Sequence, residues 1–382
     1  MVSTYKDPVL VIIELTGAND YLNTIVPYND PLYWDNRPKV HISQDELLLI
    51  DDNLAFRSDI EPLRDIYEKG NMAIIHGIGF ENSPRSHFRA MDIWHTCEPD
   101  SIGVNGWLGQ VIQDLDLHGE NVLKGVSLGQ GLPRAMTKRG VPVTSVNHLP
   151  TYGVLSSNPG ITSEEDRFQM LNSFSRMYSP TIGTGPTMEY LAQAGQDALK
   201  GADIIRVAPQ SYSSSVEYAN NNISRRLRDV AQVHLAGLGT QVFYTAHGSF
   251  DTHYDQMGSH AKLWMELSTA VNDFFADLEE HDADENVVML IFSEFGRRIN
   301  DNGSGTDHGS GGGAYLVGKP MAGGLYSEYP SLERDKWEKG EDLAHTIDFR
   351  GIYGTVIEQW LGLEAAPIVY GNFEQINPFR AN

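Results

Sequence analysis

Five short apolar runs punctuate the chain: VLVIIEL (9–15), MAIIHGI (72–78), LKGVSL (123–128), QVFYTA (241–246) and VVMLIF (287–292). Runs of this length, apolar at successive rather than alternate positions, predict strands covered on both faces. Helical patterning separates them. It predicts helices over 163–178, 188–200, 216–238 and 260–279, another through Trp94, and a last one that starts near Asp348 and closes at Trp360 and Gly362. Such alternation predicts an α/β fold, a mainly parallel sheet with helices on both faces. Residues 129–159 carry Pro, Gly, Ser and His without a period and read as an irregular excursion over one face. No internal repeat is present.

The polar segments that follow the runs carry the chemistry. After 287–292 come Ser293, Glu294, Phe295, Gly296, Arg297 and Arg298, then NGSGTDHGSGGG (302–313), which sets Asp307 beside His308 in a loop of Gly and Ser. Alone, such a tract reads as a flexible turn. The run 241–246 leads to HGSFDTHYD (247–255), with two His and two Asp within nine residues. Open α/β sheets place ligands at such strand ends. Imidazole and carboxylate together suit zinc, manganese or iron, whereas oxygen-only sites suit magnesium or calcium. Asp251 with His253 is the sharper pair, and His247 reads as a hydrogen-bonded core or surface residue. After 9–15 the segment TGANDYLN carries Asp20, which an ordinary Asx turn would also explain. After 72–78 the segment GFENSPRSHFR offers Ser83, Arg85, Ser86 and His87 at a helix start, where free N–H groups and the helix dipole favour an anion. Ser83 with Pro84 equally fits a plain helix cap.

Taken in order, strand-TGANDYLN, SPRSHFRAMDIW, FDTHYDQ, SEFGRR, GTDHG and TIDFRGIYGTVIEQWLG resemble the DUF1501 family, a group related to the alkaline phosphatase and sulfatase superfamily. The resemblance spans 9 to about 373. It implies a three-layer alkaline phosphatase-like fold, with 1–382 as a single domain that carries an irregular and helical excursion at about 129–240. The superfamily's hydrolases hold one or two metal ions with an Asp after the first strand, a hydroxyl nucleophile at a helix start, an Asp and His in a middle loop, and a later His. The matching positions here are Asp20, Ser86 or Ser83, Asp251 with His253, and Asp307 with His308. Two departures stand out. Thr16 stands where the family often has Arg, and Glu294-Phe295 stands where relatives carry Asp-His, so one imidazole is absent at that strand end.

Composition narrows the partners. A net charge of −23 argues against nucleic acid and anionic membrane, whose binding depends on Lys and Arg. An anionic substrate must then meet a local positive site, for which Arg85, Arg89, Arg297, Arg298 and a metal are the candidates. Cys97 is the only cysteine, which excludes an intrachain disulfide and a multi-thiolate metal site. The chain opens MVSTYKDPVLVIIEL without the features of a signal peptide, and its first apolar run is too short to cross a bilayer. A cytoplasmic location is the default expectation. Many DUF1501 proteins carry a twin-arginine export signal, so export follows if the natural chain begins earlier.

These observations predict a metal-dependent hydrolase of small phosphate or sulfate esters, with no nucleic acid or membrane partner and a homo-oligomer left open. A divalent ion, zinc, manganese or magnesium, would be held by Asp20, Asp251, His253, Glu294, Asp307 and His308. Ser86, or Ser83 as second choice, would attack, with Arg85 and His87 assisting. Asp348 and Arg350 read as a structural brace. The alternative is a non-catalytic metal- or anion-binding scaffold with a degenerate hydrolase site.

Overall fold

The computed structural model describes residues 7–152, 163–177 and 185–381. Its main sheet runs, in spatial order, Gly324–Tyr326, Met72–Gly79, Gly312–Val317, Val287–Ser293, Val9–Leu15, Val242–His247, Gly125–Leu128 and Thr144–Val146, with Ile347–Asp348 also paired to Met72–Gly79. Gly312–Val317 lies antiparallel to both neighbours, and the other pairings are parallel.

Successive residues of a strand face opposite sides, and both sides are covered here. Val9, Val11, Ile13 and Leu15 pack into a core with Leu63 and Ile66 of the Glu61–Glu68 helix, the Asn222–Leu235 helix and the Gln256–Glu280 helix. Leu10 and Ile12 face a second core with Ile93 and Trp94 of the His87–Thr96 helix, Trp107 and Val111 of the Trp107–Leu115 helix, and Ile352 and Tyr353 of the Phe349–Thr355 helix. The result is three layers, helices on each face of a mainly parallel sheet. Among the described residues no helix is long and apolar enough to cross a membrane.

Tertiary contacts move several expected boundaries. The helix expected over 216–238 is Asn222–Leu235. Tyr212 and Tyr218 instead donate to Asp277 at 2.7 and 2.8 Å, and Ser215 bonds Glu280, which anchors the preceding segment to the neighbouring helix. The Asn221 side chain then caps the helix by accepting from the Ser224 amide at 2.9 Å. The helix expected over 188–200 extends over Pro186–Ile205, and that expected over 163–178 is Glu164–Met177, with 178 outside the described residues. Within the segment read as an irregular excursion, Thr144–Val146 joins the sheet edge; 153–159 lie outside the described residues. The helix after the second strand begins at His87 with Ser86 as its cap residue, three positions later than a cap at Ser83 would place it.

Candidate metal centre

Loops leaving one edge of the sheet build the centre. Leu15 lies opposite both His247 and Ser293 in the parallel register, so three strands end level and the loops that follow begin side by side. Gly312–Val317 runs the other way and therefore enters from that edge, bringing 306–311 with it. Met72–Gly79 ends there and leads to the His87–Thr96 helix.

Arg297, 1% exposed, ties these loops together. Its Nε donates to the Ala18 carbonyl at 2.7 Å and its Nη1 to the Thr306 carbonyl at 2.8 Å. Nη2 reaches the Gly17 and Phe250 carbonyls and Asp251 Oδ1, the last at 2.7 Å. Gly17 is required at the crossing. Its φ is +114°, and a Cβ there would sit 2.4 Å from the Asp251 amide nitrogen.

Four side chains converge above this brace. His308 Nε2 lies 3.0 Å from His87 Nε2, 2.9 Å from His253 Nε2 and 3.0 Å from Asp251 Oδ1. His253 Nε2 is also 3.0 Å from Asp251 Oδ1. His87, Asp251 and His308 each offer a ligand atom within 4.8 Å of the others.

The partners of the opposite ring nitrogens assign the tautomers. His87 Nδ1 meets Glu294 Oε1 at 2.7 Å, His253 Nδ1 meets Asp307 Oδ1 at 2.9 Å, and His308 Nδ1 meets the Arg85 carbonyl at 2.9 Å. Each partner accepts only, so each Nδ1 carries a hydrogen and each ring turns its Nε2 inward. Nε2 atoms and a carboxylate oxygen near 3 Å from one another repel unless a cation, a proton or a metal ion, lies among them. This is the arrangement of metal-binding histidines, oriented by a carboxylate or carbonyl behind each ring. Nitrogens bound to one tetrahedral zinc stand about 3.3 Å apart, so His87, Asp251 and His308 fit a divalent ion with a small outward adjustment, His253 lying against the same Asp251 oxygen.

The electrostatics agree with a cation site. Burial raises the Asp251 carboxyl, but its contacts with Arg297 and His308 outweigh this and hold it at about 2. Burial likewise raises Asp307, while His253 and Asn302 bring it below the usual carboxylate range. The Glu294 hydrogen bond raises the His87 imidazole. The Asp251 and His253 side chains are 45% and 42% exposed, so the cluster opens to solvent.

The expected site residues thus fall into groups. His87, Asp251, His253 and His308 meet directly, whereas Glu294 and Asp307 stand one hydrogen bond behind. His87, which comes from the helix start, stacks on Phe295 at 4.9 Å between ring centroids. An imidazole therefore reaches the strand end where the sequence lacks one. Ser86 is exposed beside His87, and among the described residues its hydroxyl makes no cap hydrogen bond. Ser83 is 1% exposed.

Asp20 is elsewhere. Its Oδ2 lies 2.5 Å from both Arg37 Nη1 and Gln256 Nε2, and its buried Oδ1 has no partner among the described residues. Arg37 carries no sequence signal for this pairing, and neither does Asp342, which takes Arg85 in a two-pronged bond at 3.0 and 2.6 Å and Ser310 Oγ at 2.9 Å. Arg298 pairs with Glu341 at 2.7 Å, and Arg89 pairs with Asp92 and three carbonyls. The four arginines expected to receive an anion are all engaged.

A family model described as "Protein of unknown function (DUF1501)" matches residues 98–351. The chain belongs to the DUF1501 family. No curated protein matches it. Among solved structures, this DUF1501 chain is similar to a protein in the alkaline phosphatase superfamily from Vibrio parahaemolyticus, at 10% identity over 99% of this chain and 72% of that one, with a TM-score of 0.40. It is similar to the lipoteichoic acid synthase LtaP from Listeria monocytogenes at 8% identity over 97% and 76%, with a TM-score of 0.39. A TAB5 alkaline phosphatase variant with magnesium bound matches at 11% identity over 84% and 95%, with a TM-score of 0.36.

Proposed function

We propose that this protein is a metal-dependent hydrolase of phosphate or sulfate esters, with His87, Asp251, His253 and His308 holding a divalent ion. The observation that carries this reading is the convergence of three imidazole Nε2 atoms on one aspartate, each ring set by an acceptor behind it. A nitrogen-rich set with one carboxylate favours zinc over manganese or magnesium. When bound, the ion supplies positive charge that polarises an ester oxygen.

The chain's own groups do the rest. Glu294, Asp307 and the Arg85 carbonyl accept the Nδ1 hydrogens and so turn the Nε2 atoms inward, and Arg297 holds Asp251 ionised. Ser86 is the attacking hydroxyl in this reading, being exposed, next to a cluster histidine and at the start of a ten-residue helix. Attack by Ser86 Oγ on phosphorus or sulfur would expel the ester's alcohol, which takes up the serine proton, and water would then cleave the seryl ester to release phosphate or sulfate and restore the hydroxyl. Asp20 has no role in it, because Arg37 already neutralises its carboxylate.

One observation favours a second reading, a metal-binding scaffold without turnover: the nearby arginines are all paired. Elemental analysis after purification without chelator, followed by assays of aryl phosphate mono- and diesters and aryl sulfates, separates the readings. Bound metal with turnover supports the hydrolase, and bound metal without turnover on any ester supports the scaffold. A metal-free protein whose activity ignores chelators would overturn both.

A further inference from the structure

Resting on the hydrolase reading, we propose that the centre is matched to a singly charged ester anion, a sulfate monoester or a phosphodiester, and disfavours the doubly charged phosphate monoester. The charges that touch the cluster are few. Asp251, Glu294 and Asp307 are the carboxylates bonded to its imidazoles, and Arg297 is the one cation bonded to them at hydrogen-bond distance among the described residues. Three negative charges against one positive leave a double negative charge, which a single divalent ion brings to zero.

The next cations outward add nothing to that balance. Arg85 is neutralised by Asp342 in a two-pronged bond, and Arg298, 3.9 Å from Asp307, is offset by Glu341 at 2.7 Å. A monoanion can approach through the polarised ion without an opposing field. A monoanion leaves the occupied centre at −1, whereas a second negative charge would take it to −2 with no unpaired cation among the described residues facing it, and like-charge repulsion at such range is worth about a tenfold loss of affinity.

Arg298 gives the means of testing this, because it lies close to the centre, with Nε 3.3 Å from the His308 carbonyl. Glu341 is 48% exposed in its side chain, so Glu341→Gln frees the guanidinium without disturbing the core.

Calorimetric titration of the metal-loaded protein with benzylphosphonate and with its monomethyl ester, at pH 8, reads the discrimination without turnover. The monomethyl ester is expected to bind about tenfold tighter. Glu341→Gln is expected to strengthen benzylphosphonate about fivefold and the monomethyl ester about twofold. Benzylphosphonate binding as tightly as its ester, or a Glu341→Gln effect equal for both, would overturn the proposal.

Turnover of aryl sulfate, methyl aryl phosphate and aryl phosphate then distinguishes the two sources of a monoanion. The faster of the first two names the substrate, and an aryl phosphate rate equal to or above both refutes the match. Selective binding with no turnover on any of the three would refute the hydrolase reading while leaving the charge match standing as a binding property.

Discussion

Glu294 Oε1 lies 2.7 Å from His87 Nδ1, although 207 residues separate them in sequence. The same oxygen accepts the Gly17 N–H at 2.9 Å, and Ser293 Oγ donates to Oε2 at 2.9 Å. A carboxylate so held fixes both the tautomer and the orientation of the ring in front of it.

Glu294→Gln is therefore expected to weaken metal binding about 10- to 100-fold while leaving secondary structure unchanged. A competition titration against a chromophoric chelator reads the affinity, and circular dichroism reads the fold. Unaltered affinity would remove Glu294 from any role at the centre.

Replacing a direct ligand should cost more. His308→Ala is expected to lower metal affinity by more than about 100-fold, since the coordination energy itself is lost. The ring is partly exposed and flanked in sequence by Gly309 and Ser310, so the metal-free protein should melt within a few degrees of the parent. A large loss of stability in the metal-free state, with activity per folded molecule unchanged, contradicts the assignment.

The hydroxyl assignment has its own pair of variants. Ser86→Ala should retain metal and lose ester turnover, at a stability cost below about 1 kcal/mol because the cap bond is not made. Ser83→Ala should leave turnover intact, its side chain being enclosed. The reverse pattern would transfer the nucleophile to Ser83.

Stability should fall as pH drops from about 6.5 towards 4. Burial holds His76, His234 and His247 at about 4, below the ordinary value near 6.5. Within that window the unfolded chain binds protons that the folded chain refuses, so unfolding becomes easier as acid is added. Each histidine contributes up to about 1.4 kcal/mol per pH unit. Urea unfolding of the metal-free protein from pH 7.5 to 5 measures the slope, and His234→Gln should reduce it by one proton. A slope unchanged in that variant would exclude His234 from the effect.

Much of the layered arrangement was legible in the chain. Runs such as 9–15 and 287–292 are apolar at successive positions because both faces of their strands are covered, and the Gly, Asp and His segments after them sit at strand ends because apolar cores exclude them. Adjacent residues such as Asp307 and His308 must also lie near one another whatever the fold. These are consequences of local sequence and burial.

The division of labour among the site residues was not legible, because it depends on atoms brought together across the sheet. Residue type does not say whether a carboxylate points at a metal or at the back of an imidazole; the level ends of the strands at Leu15, His247 and Ser293 decide that for Glu294. His87 reaches Asp251 and His308 because the second strand ends at the same edge, and Asp20 turns to Arg37 because a buried carboxylate needs a cation within reach. The pairing of Arg85 with Asp342, 257 residues away, likewise exists only once the loops are packed. Sequence determined which chemical groups the edge of the sheet would carry, and tertiary structure decided which atoms face each other, because hydrogen bonding and charge pairing act over a few ångströms of space without regard to separation along the chain.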